Sequence, residues 1–245
     1  MALKLNFKHK RGKQNGGPVR KIKCGAEQTA VCECRTSLLV GERTMGDEQE
    51  SLLIDSKEYL KSGIHIGTKF KTKYMSNFIY KTRPDGLSVL NLKKIDERIG
   101  TAANLLANYA PEDILITSRR ETGWKALKKL RDLTGIKVLP GRYPPGILTN
   151  PNLKTFFEPQ IVMVCDPWPD KNAVDDAYKI GAPVIALCDT NNQSNKLDLV
   201  VPCNNKGKKS IGLLFYLVAR EYLLKRGIIA SAGEMTATIE DFTEE

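Results

Sequence analysis

The 245-residue sequence predicts an α/β domain built on a parallel sheet, and three observations carry that prediction. Five short apolar runs lack polar alternation, as strands buried on both faces do. Stretches of helical period separate them, so that strand and helix alternate along the chain. Gly135 and Gly181 stand just past two of those stretches, where a left-handed residue ends a helix without a steric penalty.

In chain order, residues 1–44 hold ten Lys/Arg against three acids, and the first 26 contain no acid. Gly and polar residues dominate Gly12 to Pro18, so this segment has too little apolar surface to fold alone and reads as a flexible basic extension. At Met45 the composition changes: MGDEQESLLIDSKEYLK has the acidic start of an amphipathic helix, with Leu53, Ser56 and Leu60 on adjacent turns. The folded domain is therefore placed at 45–230. Met45 also fits an alternative start, and a basic targeting presequence is a third reading of the first 44 residues.

A strand and turn follow, where alternation places Phe78 and Tyr80 inward and Arg83-Pro84-Asp85-Gly86 closes a β-hairpin. From Asn91, Ile95, Ile99, Ala102, Ala103, Leu106 and Tyr109 recur at three and four residues until Pro111 stops the helix. The apolar runs at 114–117, 137–139, 161–165, 184–188 and 199–201 are the sheet strands. Trp124 to Leu133, Ala173 to Ile180 and Ile211 to Arg226 are the helices that cover both its faces. Asp189 to Asp198 is too short and polar for a full helix, which makes that crossover irregular. Five acids and no base fall after residue 227, and 231–245 reads as a solvated acidic tail, with Ile239 and Phe242 its only patterned apolar residues.

A net charge of +10 and a pI near 9.3 point to a polyanionic partner, nucleic acid or an anionic membrane. The longest apolar run, Ile211 to Ala219, has nine residues, about half of what a spanning helix requires. No apolar block follows the basic N-terminus, so no secretory signal is expected and the six cysteines belong in a reducing, cytoplasmic compartment. Cys165, Cys188 and Cys203 lie in or beside apolar runs, where a thiol packs as a small hydrophobe.

An enzyme on an open α/β sheet places its chemistry after the strands. Asp166 and Asp189 are the carboxylates there; they could share a magnesium ion or act as acid and base, but turn and helix capping is the favoured reading. No GxGxxG follows the first strand, and Gly207-Lys208-Lys209-Ser210 fails as a phosphate loop because Pro202 stands where its first glycine belongs. His65 reads as packed and hydrogen-bonded. Cys24, Cys32 and Cys34 lack the paired spacing of a zinc site. No catalytic residue, metal, cofactor or small-molecule substrate is expected.

The positive signal is cationic and aromatic. Residues 61–83 contain Lys61, Lys69, Lys71, Lys73, Lys81 and Arg83, interleaved with Phe70, Tyr74, Phe78 and Tyr80, and no acid. Cations neutralise phosphates while aromatic faces stack on unpaired bases, the combination RNA binding uses. Arg142 and Tyr143 in the stiff loop PGRYPPGILTNP suit a phosphate or groove contact. Lys206, Lys208 and Lys209, at a helix start, either hold a phosphate or form a solvated face.

Seven segments in order, GIHIGT (63–68), FIYKTRPDGLSVLNL (78–92), PGRYPPGILTNP (140–151), FFEPQIVMVCDP (156–167), IGAPVIALCDTN (180–191), LDLVVPCNNKGKKS (197–210) and AREYLLKRG (219–227), resemble the S2 family of small-subunit ribosomal proteins. The resemblance covers about residues 50–228. Only Pro151 to Gln160 stand where bacterial members carry a long helical hairpin, and no long acidic extension follows, which implies the archaeal type, related to the eukaryotic ribosomal SA protein. Thr68 replaces a histidine of bacterial members, which argues against a metal at His65. The resemblance implies a flavodoxin-like five-stranded sheet of order 2-1-3-4-5 and a structural role at the head-body junction of the small subunit. Ribosomal RNA and neighbouring small-subunit proteins would be its partners, met through the three basic sites above. A phosphosugar- or nucleotide-binding enzyme and a free RNA-binding regulator are the alternatives.

Overall fold

The uninterrupted apolar runs form the sheet in the computed structural model, which describes residues 52–230, 235 and 237–243. The basic extension 1–44, its cysteines and the start of the domain at 45–51 lie outside the described residues, as do 231–234. Strands β3 (Ile114–Ser118), β4 (Lys137–Pro140), β5 (Ile161–Val164), β6 (Val184–Cys188) and β7 (Leu199–Pro202) pair in parallel in the order β4-β3-β5-β6-β7. Counted within the sheet this is 2-1-3-4-5, the expected doubly wound order. Ahead of it, β1 (Ile79–Thr82) and β2 (Ser88–Leu90) make the expected antiparallel hairpin.

Alternation along the strands divides the core. Ile114, Ile116, Ile161, Met163 and Ile185 face helices α2 (Leu92–Ala107), α3 (Trp124–Thr134) and α5 (Lys208–Lys225). Leu115, Val162, Val164 and Val184 face α4 (Lys171–Ile180) and the loop bearing Tyr143, Ile147 and Leu148. Both faces are thus covered, which is why the strands tolerate no polar alternation. Gly135 and Gly181 end α3 and α4 in the left-handed conformation, at φ 74° and 77°. Cys165, Cys188 and Cys203 are free, buried thiols whose pKa values are raised by desolvation, as their apolar surroundings require.

Three expectations need correction. Helix α1 is short, Ser56–Ser62, with Leu53 before it and Leu60 exposed. Its buried anchor is Tyr59, whose hydroxyl donates to Asp96 Oδ1 at 2.5 Å while Leu53 N donates to Asp96 Oδ2. Tyr80 points outward: the β1-β2 register shifts between Ile79 and Lys81, so the period-two count fails there, and Phe78 is buried from the 3₁₀ turn before the strand. Finally, part of the acidic tail is docked. Helix α6 (Ile239–Phe242) packs on α3 and α5, burying Ala237 and Phe242, with the Phe242 ring edge-on to Tyr216 at 5.9 Å. Gly212 permits this approach, because a Cβ on it would lie 2.7 Å from Thr243 Cγ2 and 2.9 Å from Phe242 O.

Candidate nucleic-acid interface

The carboxyl ends of the strands are covered by the protein's own chain. Asn204, after β7, donates from its backbone N to Ile64 O at 3.0 Å and from its side chain to Gly63 O at 3.3 Å. Thr190, after β6, accepts at Oγ1 from Thr68 N (2.9 Å) and at its carbonyl from Thr72 N (3.0 Å), while Thr72 Oγ1 donates to Asn192 O. Gly67 makes the crossing possible, since a Cβ there would fall 2.5 Å from Thr190 Cγ2. Held at these points, the loop after Gly67 exposes Lys69, Phe70, Lys71 and Lys73. Phe70 is 80% exposed and Tyr80, on the adjoining hairpin, 71%. Lys81 and Arg83 are exposed on the same hairpin. Phe78 is spent internally, against Tyr74 at 5.9 Å and beneath Lys94 and Arg98.

The start of α5 lies beside this loop. Asn204 Oδ1 accepts from Lys206 N and Gly207 N, so two amides before the helix are already used. Lys206 Nζ pairs with buried Asp189 Oδ2 at 3.2 Å, which gives that lysine an internal role; Lys208 and Lys209 are exposed. Arg142 is exposed past β4, four strand spacings from β7, or about 19 Å across the sheet. Tyr143, expected beside it as a contact residue, is buried: its hydroxyl donates to Asp176 Oδ2 at 3.2 Å, and burial raises its pKa. It packs the loop onto α4 and offers no face to a ligand. The structure thus joins the Lys69 to Arg83 group to the α5 start, leaves Arg142 apart and removes Tyr143.

Between β3 and β5, where strand order reverses, the crevice is filled from within. Asp166 Oδ2 accepts from Arg120 Nε at 2.7 Å and Nη2 at 2.5 Å; its Oδ1 accepts from Asn192 Nδ2 at 2.8 Å and Trp168 N at 3.1 Å. Asp189 accepts from Thr190 N. The two carboxylates cap turns and ion pairs, as the capping reading expects. Asp170, which the sequence did not single out, accepts from Arg119 N through Oδ2 while its buried Oδ1 has no partner. Desolvation raises its pKa from the ordinary 3.8 to about 6, aided by Asp166 and opposed by the Arg119 amide. A raised carboxyl pKa favours the fold below the unfolded pKa and loses that contribution as pH rises through about 6. Relative to the parent, Asp170→Asn should therefore gain about 3 kcal/mol between pH 2 and pH 8 in urea unfolding. Parallel pH profiles for the two proteins would contradict this.

His65 is part-buried, with a hydrogen bond to the Tyr59 backbone and no partner at Nδ1; desolvation lowers its pKa, opposed by that hydrogen bond. Among the described residues no three His, Cys, Asp or Glu side chains converge as a metal site, and no helix is long and apolar enough to cross a membrane.

The fold is of the doubly wound α/β class, and its switch-point crevice is closed by the protein's own ion pairs. The model of the family described as ribosomal protein S2 matches residues 152–223. Small ribosomal subunit protein uS2 of Nanoarchaeum equitans is 45% identical over 190 residues, covering 78% of this chain and 94% of its own. The uS2 proteins of Methanococcus maripaludis strain C6 (47% over 195 residues, 80% and 87%) and Thermoplasma acidophilum (43% over 193 residues, 79% and 97%) are similar to a like extent. The chain belongs to the ribosomal protein S2 family, a structural, non-enzymatic family.

Proposed function

We propose that the protein is a structural constituent of the small ribosomal subunit in the cytoplasm, holding ribosomal RNA and neighbouring ribosomal proteins at the head-body junction in support of translation. The observation that carries this is the loop-and-hairpin surface from Lys69 to Arg83, which exposes five cations with Phe70 and Tyr80 and contains no acid. Phosphates meet the cations and unpaired bases meet the rings. The α5 start extends the basic surface through Lys208 and Lys209, and Arg142 adds a separate contact. Residues 1–44 serve in this reading as a basic extension of the folded domain, and the acid-rich segment 231–245 closes the chain.

The test is sedimentation of tagged full-length protein from lysate on sucrose gradients, with small-subunit RNA followed alongside at low and high salt. Co-migration that survives the salt step is expected. A free, domain-sized species would overturn the reading and favour a free RNA-binding regulator.

A further inference from the structure

A second aromatic surface adjoins the Lys69 to Arg83 loop, whose Thr72 Oγ1 donates to Asn192 O at its edge. Trp168 follows β5, and its ring is 75% exposed, an uncommon state for the largest apolar side chain. Its placement is rigid. Pro167 and Pro169 restrict the backbone on both sides, and the Trp168 amide donates to Asp166 Oδ1, itself fixed by Arg120 and Asn192. The indole borders a cleft of about 580 Å³ between the start of α4 and the polar crossover from β6 to β7. That volume falls within the range of ligand pockets, about 300–1,000 Å³.

The walls are chemically specific. Asn192 forms part of the cleft but is committed internally, donating to Asp166 and accepting from Asp189 N. Asn191 lines the same cleft with a buried Oδ1 that has no partner, and Gln193 and Asn195 add two exposed amides. Lys171 and Lys196 supply cations against one carboxylate, Asp175. Lys196 is the one non-glycine at positive φ among the described residues (φ 62°), and its Nζ bonds Asp175 Oδ1 at 2.6 Å, tying the strained crossover to α4. An aromatic face, side-chain amides pairing donor with acceptor, and a local cationic excess meet in one place. A base has a face for the first, an edge for the second and a phosphate for the third.

We propose that this cleft holds one unpaired nucleotide of an RNA strand, its base stacked on Trp168 and its edge read by the amides of Asn191 and its neighbours. Adenine fits best, because its N6 amine and N7 present the adjacent donor and acceptor that a carboxamide pairs with. The proposal rests on the reading that the protein binds RNA, and adds to the basic loop a specific base contact beside it.

The experiment uses the full-length protein with fluorescently labelled octaadenylate and octauridylate, following anisotropy for total binding and tryptophan emission for the cleft. Trp124 is the only other tryptophan, so Trp168→Phe assigns the signal. Octaadenylate should quench the Trp168 emission, and Trp168→Ala should weaken binding about tenfold, the effect of losing one stacked base. Asn191→Ala should reduce the preference for adenylate over uridylate. Binding by anisotropy without quenching, or with unchanged affinity in Trp168→Ala, overturns the cleft proposal and leaves the basic-loop reading intact. Absence of RNA binding altogether removes both. Quenching by RNA-free small-subunit proteins and not by either oligonucleotide assigns the cleft to a protein partner and overturns it as well.

Discussion

Replacing Arg120 with alanine should lower the stability of the folded domain by about 3 kcal/mol, the lower end of the range for breaking a buried ion pair from one side. Asp166 explains the size of the effect. Its side chain is 3% exposed, and both charged donors reach it from the Arg120 guanidinium. Without them, a carboxylate beneath the strand ends keeps only the Asn192 amide and the Trp168 N–H. Arg120 is about one-third exposed, so water enters partly after its removal and the loss stays at the lower end. Replacing both partners by leucine should recover most of the loss, since an apolar pair leaves no orphaned charge. Chemical denaturation of the parent, Arg120→Ala and the double variant checks this. A loss well below about 1 kcal/mol would mean the pair behaves as an exposed one.

The same pair shows where sequence reading reaches and where it stops. The strand-end rule marked Asp166 and Asp189 correctly as residues of the crevice, because their position depends only on where apolar runs end. Their partners depend on packing: Arg120 reaches Asp166 across 46 residues and Asn192 reaches it across 26, separations no local pattern encodes. Five strands and four of the helices were legible because burial on two faces leaves a strong apolar signature. Tyr80 was misplaced because one register shift reverses a strand's facing. Tyr143 was misread because its partner, Asp176, stands on a helix beyond the next strand. Phe242 reads as solvated because one apolar pair three residues apart, Ile239 and Phe242, is too short a pattern to fix a buried face in an acidic segment; the small residue Gly212 facing it is the only other sign. Trp168 carries no local signal of a site, because a lone aromatic between two prolines has no period.

The largest effect is expected on RNA binding when Lys69, Lys71, Lys73, Lys81 and Arg83 are together replaced by glutamine. If each neutralises one phosphate of a single strand, the salt dependence of log K should flatten by about 0.7 per cation, or about 3.5 overall. The affinity for an unstructured RNA octamer should then fall by about a thousandfold near 50 mM salt, a loss that narrows as salt rises. Stability should hardly change, because all five side chains are exposed. A control replacing Lys128, Arg131 and Lys225, all exposed, on α3 and at the far end of α5, removes charge away from the loop and should leave the slope nearly unaltered. Phe70→Ala with Tyr80→Ala should weaken binding while keeping the slope, since stacked bases release no counterions. The two variant sets thus separate phosphate contact from base contact on one surface. An equal loss from the control set would show that net charge alone draws the RNA. An unchanged slope in the five-residue variant would mean that those cations are solvated in the complex and that the contact lies elsewhere on the rim.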